Sequence, residues 1–174
     1  QIEITKSNLR NKDLSISFNN TVTFKPFFKI DSYIMLDKIN KKIFERIDLG
    51  KILQNKEIIK KLNGKNIINY KAKRFRNNFI LNYSSQSTLA NGRLDYSNVI
   101  FVSGGSINCL GDSLLIEEYP RLNFDCKIQI KDKKKFFSKF LKSQKLNKDP
   151  LNLDVKGSLN LLKKKINFKK INFG

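Results

Sequence analysis

The sequence predicts a mainly β protein with helices, of the α+β class. Its core is a twisted antiparallel sheet, with a helix pair near residues 38–63 and a single helix near 132–143. Three observations carry this prediction. Side chains alternate apolar and polar over several long segments, turn-forming residues separate those segments, and helical spacing of apolar residues is confined to two places.

The alternating runs come in order. Leu14, Ile16, Phe18, Val22 and Phe24 share one phase, with Asn20 the only polar break. Phe28, Ile30, Ile34 and Leu36 form a second run, interrupted at Ser32, and Phe79, Leu81 and Tyr83 open another. The run from Leu122 sets Phe124, Cys126, Ile128 and Ile130 against Asn123, Asp125, Lys127 and Gln129. Leu151, Leu153, Val155, Gly157, Leu159 and Leu161 repeat the pattern against Asn152, Asp154, Lys156, Ser158 and Asn160. Ile166 and Phe168 followed by Ile171 and Phe173 change phase, which predicts a bulge near Lys169 and Lys170. Pro26, Pro120 and Pro150 each stand just ahead of a run, where a missing N–H costs a sheet least. Asn91-Gly92 predicts a tight hairpin, and Gly104-Gly105 and Gly111-Asp112 predict further turns. Strands joined by such turns are expected to be antiparallel.

Helical spacing appears first in Ile39, Ile43, Phe44 and Ile47, then in Ile52, Leu53, Ile59 and Leu62, with Gly50 as the expected bend and Gly64 as the stop. A third helix is expected to open near Asp132 and to carry Phe136, Phe137, Phe140 and Leu141 on one face. Its first turn holds Lys133, Lys134 and Lys135, the wrong charge for a helix N-terminus. About nine strands at ~4.8 Å spacing make a sheet roughly 40 Å broad with one apolar face. Three short helices, each about 10 Å wide, cover around half of it. The rest must curl on itself, meet more sheet, or hold something apolar.

The 174 residues fit a single β-rich module, 1–174, read as a piece of a longer chain because it opens at Gln1. The net charge of +20 is compatible with nucleic acid, anionic lipid or an acidic partner. Lys, Asn and Ile supply 71 of the residues, however, and a bias toward A/T-rich codons loads lysine onto exposed positions whatever the function. Cys109 and Cys126 are too few for a disulfide framework, and Cys126 falls on the apolar phase of its run, where a lone cysteine acts as a small hydrophobe. A bridge between the two is the less favoured expectation.

The chemistry is sparse. No histidine occurs, which removes His-based acid–base catalysis, Ser-His-Asp and Cys-His arrangements and most zinc sites. No Ser-x-x-Lys nucleophile or Walker-type phosphate loop is present, and Asp125 and Asp154 lie on polar strand phases among Lys and Asn. The expectation is a non-enzyme without cofactor or metal. A nucleic-acid platform is disfavoured because the phenylalanines fall on the apolar phase. Only Phe75, between Arg74 and Arg76, reads as an exposed aromatic among cations.

The order of elements resembles the AsmA-like family. Residues 24–73 show a strand, a helix pair and a return strand, and residues 89–173 show a hairpin and short strands leading to a long strand. A "KDKKKFFSKF" helix and the closing "LDVKGSLNLLKKKINFKKI" follow. The resemblance implies an envelope protein anchored in the bacterial inner membrane by an upstream segment, extending into the periplasm and taking part in outer-membrane biogenesis and phospholipid transport. It implies a curved sheet with an apolar concave face, lined here by Leu122, Phe124, Ile128, Ile130, Leu151, Leu153, Val155 and Leu159. The partners it implies are phospholipid acyl chains, the inner membrane and the remainder of the parent chain. The alternatives are a basic nucleic-acid-binding β module or a purely structural segment of a larger envelope protein.

Overall fold

The computed structural model describes residues 1–40, 48–72, 78–138 and 149–174. Ten strands form one sheet in strict sequence order. They are β1 (Ile2–Arg10), β2 (Leu14–Thr23), β3 (Lys29–Ile39), β4 (Gly64–Lys71), β5 (Ile80–Ala90), β6 (Arg93–Val102), β7 (Gly105–Leu114), β8 (Arg121–Ile130), β9 (Leu151–Asn160) and β10 (Lys165–Phe173). Among the described residues three short helices accompany them: α1 (Leu49–Gln54), α2 (Lys56–Lys61) and α3 (Lys133–Phe137).

All neighbouring pairs are antiparallel except β3 and β4, which run parallel. This corrects the expectation of an antiparallel sheet. Residues 40–63 separate the two strands and carry α1 and α2. A connection of that length returns the chain to the end from which β3 began, as a tight turn cannot. The junction is pinned at its start by Ile30 N–H donating to Asn63 O at 2.8 Å and Lys65 N–H donating to Asp31 Oδ1 at 2.7 Å.

The turns follow their residues. Asn91 and Gly92 adopt φ of 51° and 80°, the backbone that a two-residue hairpin requires. Gly104 turns β6 into β7 with φ 92°. Gly111-Asp112 is not a turn: both residues lie inside β7, with Gly111 opposite Tyr96 and Phe124. A side chain there would run into the Asn123 carbonyl oxygen and the Tyr96 ring, so the glycine serves packing rather than reversal. Gly50 is likewise not a bend but part of α1. The break comes at Asn55, whose side chain accepts from Ile58 N–H and opens α2. Gly64 does not stop the helix, which ends at Lys61; it is the first residue of β4. Ile39 closes β3 rather than belonging to a helix, and Ile43, Phe44 and Ile47 lie outside the described residues, as do Phe75, Phe140 and Leu141.

Asp132 caps α3 by accepting from Lys135 N–H at 2.9 Å, and Lys135 Nζ returns to the Asp132 carboxylate at 3.2 Å. The cap supplies the negative charge that a first turn of lysines lacks. The Phe136 ring meets Phe79 edge-on with centroids 5.3 Å apart. Beside it the N–H groups of Lys131 and Asp132 both donate to Gly104 O. At this end of the sheet Val102 and Ile130 are only 3% and 1% exposed.

Such burial is rare elsewhere. Apart from these two, the buried apolar residues among those described are Leu53, Ile59, Ala72 and Pro120. The chain exposes 12722 Å², whereas a compact monomer of 20.3 kDa exposes about 8,800 Å². No second sheet packs against the first among the described residues, and β1 and β10 do not pair with each other. Both edge strands carry a register break at lysine, between Ile4 and Ser7 around Lys6 and between Phe168 and Lys170 at Lys169. The second is the bulge expected from the phase change. Lysine-bearing bulges discourage an open edge from recruiting further strands.

The Asp31 carboxylate sits where β3 meets β4. Burial raises its pKa, but hydrogen bonds from Lys29 Nζ and Lys65 N–H outweigh that and hold it below the usual carboxylate value. Its stabilising effect is therefore fully present above the unfolded-state pKa and is lost as pH falls through the lower folded value. Asp31→Asn should cost about 1 kcal/mol at pH 7, discounted for the partial exposure of the pair. The difference from wild type should shrink as pH falls below the usual carboxylate range, as read from urea midpoints at neutral and acid pH.

Candidate functional site

Ladder partners share a face of the sheet, so the register identifies what each face presents. The eight apolar residues expected to line a site come together on β8 and β9. Leu122 stands opposite Leu159, Phe124 opposite Gly157, Ile128 opposite Leu153, and Ile130 opposite Leu151. Val155 stands opposite Cys126 on the same face. Seven of the eight are half-buried, while Ile130 belongs to the small core beneath α3 and is not an accessible contact.

The face extends well beyond these two strands. One row crosses the entire sheet without a polar break: Leu9, Ile16, Leu36, Tyr70, Tyr83, Ile100, Ile107, Ile128, Leu153 and Phe173, one residue from each strand. Nine strand intervals make it about 43 Å long. Its end members, Leu9 and Phe173, are 47% and 76% exposed. Along β10, Ile166, Phe168 and Ile171 are also exposed on this face, as are Ile2 and Ile4 on β1. Sequence reasoning saw the alternation in β10 but left those residues out of the site, and it missed β1, whose apolar members are only Ile2, Ile4 and Leu9. Register across strands cannot be read from one strand's alternation, so the continuity of the row was invisible in the sequence.

The cysteines lie on the same face. Cys109 and Cys126 are direct cross-strand partners on β7 and β8, with Cα atoms 4.1 Å apart, and they form a disulfide. This overturns the expectation of unbridged thiols. The pairing depends on the β7–β8 register, which spacing alone does not disclose.

The opposite face carries both signs of charge, together with the exposed side chains of Tyr33, Phe101, Leu110 and Leu114. Lys156 pairs with Asp125 directly across the β8–β9 ladder, and Arg93 meets Asp95 at 3.3 Å and Asp112 at 3.7 Å. The hydrogen bond that Lys156 Nζ donates to the Asp125 carboxylate raises the pKa of Lys156, aided by the charge of Asp125 and of Asp154. Asp125 thus has a cationic partner on a wet face. A recess of about 370 Å³ at the end of this face is lined by Arg121, Lys163 and Lys165 with Ser158, Asn160 and Asn167. Among the described residues, no three potential metal ligands come together and no helix is long and apolar enough to cross a membrane.

The family models, curated proteins and solved structures compared with this chain yielded no match.

Proposed function

We propose that the apolar face is a lipid-binding surface and that the chain is a β-groove module of the AsmA-like type. In this reading it takes part in phospholipid transport and outer-membrane biogenesis, in the periplasm and tethered to the inner membrane. The observation that carries the reading is the ten-residue apolar row, which crosses every strand of the sheet with no second sheet packed on it among the described residues. Hydrocarbon is the occupant whose chemistry matches it: long, unbranched, without hydrogen-bonding demands, and dispersive along its whole length. Curvature of the sheet around the chains, giving a concave apolar groove, belongs to the same proposal.

Two further features support it. The disulfide suits an oxidising compartment, where such bonds form and persist. The mixed charge of the opposite face favours lipid over nucleic acid, because Asp95, Asp112, Asp125 and Asp154 lie among its cations and would repel a phosphate backbone.

The test places the same charge on either face of β9. Leu153→Asp enters the apolar row, whereas Asn152→Asp stands on the exposed opposite side. Phospholipid carried through purification should fall about tenfold in Leu153→Asp, with a thermal midpoint near that of wild type, because on an open face the carboxylate stays hydrated. Asn152→Asp should retain its lipid. A wild-type protein free of lipid by mass spectrometry, together with a Leu153→Asp variant that fails to fold, would identify the face as closed core of a structural segment.

A further inference from the structure

A second row crosses the apolar face and differs in kind from the first. From β2 to β5 it reads Asn20, Ser32, Asn66 and Ser87, each the ladder partner of the next. On β2 and β3 the face returns to apolar residues on either side, Phe18 and Ile34 on one flank and Val22 and Ile30 on the other; on β4 the flanks are Ile68 and Gly64, and on β5 they are Leu89 and the buried Ser85. Two carboxamides and two hydroxyls therefore lie in line on four adjacent strands, at the same level, with no charged residue among them. These are the Asn20 and Ser32 that interrupt the alternation in the sequence; only the register shows that their interruptions coincide.

Alignment alone is compatible with a self-satisfied polar ladder, in which the four side chains bond one another. They do not: none of them hydrogen-bonds to another among the described residues, and Asn20 Oδ1 is buried without a partner. A buried acceptor left unpaired is costly, and it marks where a donor is expected.

We infer that this row holds the uncharged ester-and-hydroxyl linkage of a diacylglycerol-type lipid, with its acyl chains on the apolar rows beside it. The inference rests on the lipid-binding reading and adds which part of the lipid is recognised and where. Serine hydroxyls and asparagine N–H groups donate to ester carbonyls, and a carboxamide oxygen of the row can accept from a hydroxyl once its side chain turns to the surface. The absence of Lys and Arg from the row distinguishes this linkage from a phosphate, which recruits charged donors. The apolar flank begins one ladder step away, at Phe18, Ile34 and Ile68, and the unbroken ten-residue row is one step beyond. A chain leaving the linkage thus meets hydrocarbon-compatible surface at once.

The experiment compares two probes, dioleoylglycerol and octadecane, on the wild-type chain and on the Asn20→Leu/Asn66→Leu variant. Both carry hydrocarbon, but only the first has esters and a hydroxyl. The variant makes the row more apolar on an accessible face, so its fold should survive, as checked by circular dichroism. Ser32→Ala/Ser87→Ala repeats the test with smaller changes in volume. Dioleoylglycerol binding should weaken roughly tenfold in the leucine variant, the loss of two modest hydrogen bonds, while octadecane binding stays level or tightens. Equal changes for both probes, or none, overturn the inference. Reduced solubility with unchanged dioleoylglycerol binding also overturns it and makes the row a guard against aggregation. A wild-type chain that binds octadecane but not dioleoylglycerol overturns the inference alone, and one that binds neither overturns the lipid-binding reading beneath it.

Discussion

Gly64→Ala should destabilise the protein by roughly 3 kcal/mol or more, at the upper end for overpacked positions. A methyl group at residue 64 would lie 1.8 Å from the carbonyl oxygen of Ile30 and 2.8 Å from its carbonyl carbon. Both are backbone atoms, so no rotamer change relieves the clash. Relief requires moving β4 away from β3 at the one parallel junction of the sheet. The same movement strains the bonds from Ile30 N–H to Asn63 O and from Lys65 N–H to Asp31, which begin that ladder. Gly50→Ala is the internal comparison, because Gly50 lies inside α1 and a methyl there would meet only a side-chain oxygen of Asp48 at 3.2 Å. Alanine is the better helix former by about 1 kcal/mol, so this substitution should be neutral or stabilising. Urea denaturation of the two variants separates the expectations: equal midpoints would show that Gly64 is not a contact point between strands.

The two glycines also mark what one sequence makes legible. Alternation located β2, β3, β8 and β9 because one face of each is apolar and the other wet, and side-chain phase records that directly. The phase change in β10 gave its bulge for the same reason. Gly50 and Gly64 were misassigned because a glycine announces freedom or closeness without saying which. Gly64 is needed for approach to a strand more than thirty residues earlier, a fact that resides in the fold. The parallel β3–β4 pair was within reach, since two strands separated by a helix pair form a crossover unit, but hairpin signals elsewhere set the expectation. The site follows the same division. Membership of the apolar face was legible for all eight residues on β8 and β9. Its continuity across ten strands, the coincidence of Asn20, Ser32, Asn66 and Ser87, and the meeting of the cysteines are properties of register between strands. Register is fixed by pairing rather than by any local pattern.

Reduction of Cys109–Cys126 should lower stability by about 3 kcal/mol, the chain-entropy value for a loop of this size; the two residues are 17 apart. The effect is large for this protein because little else holds it closed. Among the described residues only Leu53, Ile59, Ala72, Val102, Pro120 and Ile130 are buried apolar side chains, so stability there depends on ladders between neighbouring strands more than on a common core. A covalent tie between β7 and β8 acts within that series, on the hairpin whose strands are joined by residues 115–120. Unfolding with the bond intact leaves the hairpin's ends together; unfolding without it frees them. The measurement is a urea titration with and without dithiothreitol, run on wild type and on Cys109→Ala/Cys126→Ala. Wild type should shift to a lower midpoint on reduction and then approach the double variant, whose own midpoint should not respond to the reductant. A wild-type midpoint indifferent to dithiothreitol would mean that the tie carries no stability. A reductant response in the double variant would place the effect elsewhere than in this bond. The lipid readout adds a second axis. Cys109 and Cys126 lie beside the ten-residue row, between partners Ile107–Ile128 on one side and Gly111–Phe124 on the other. Loss of bound phospholipid on reduction, at a denaturant concentration where the fold is retained, would tie the order of β7 and β8 to the binding face.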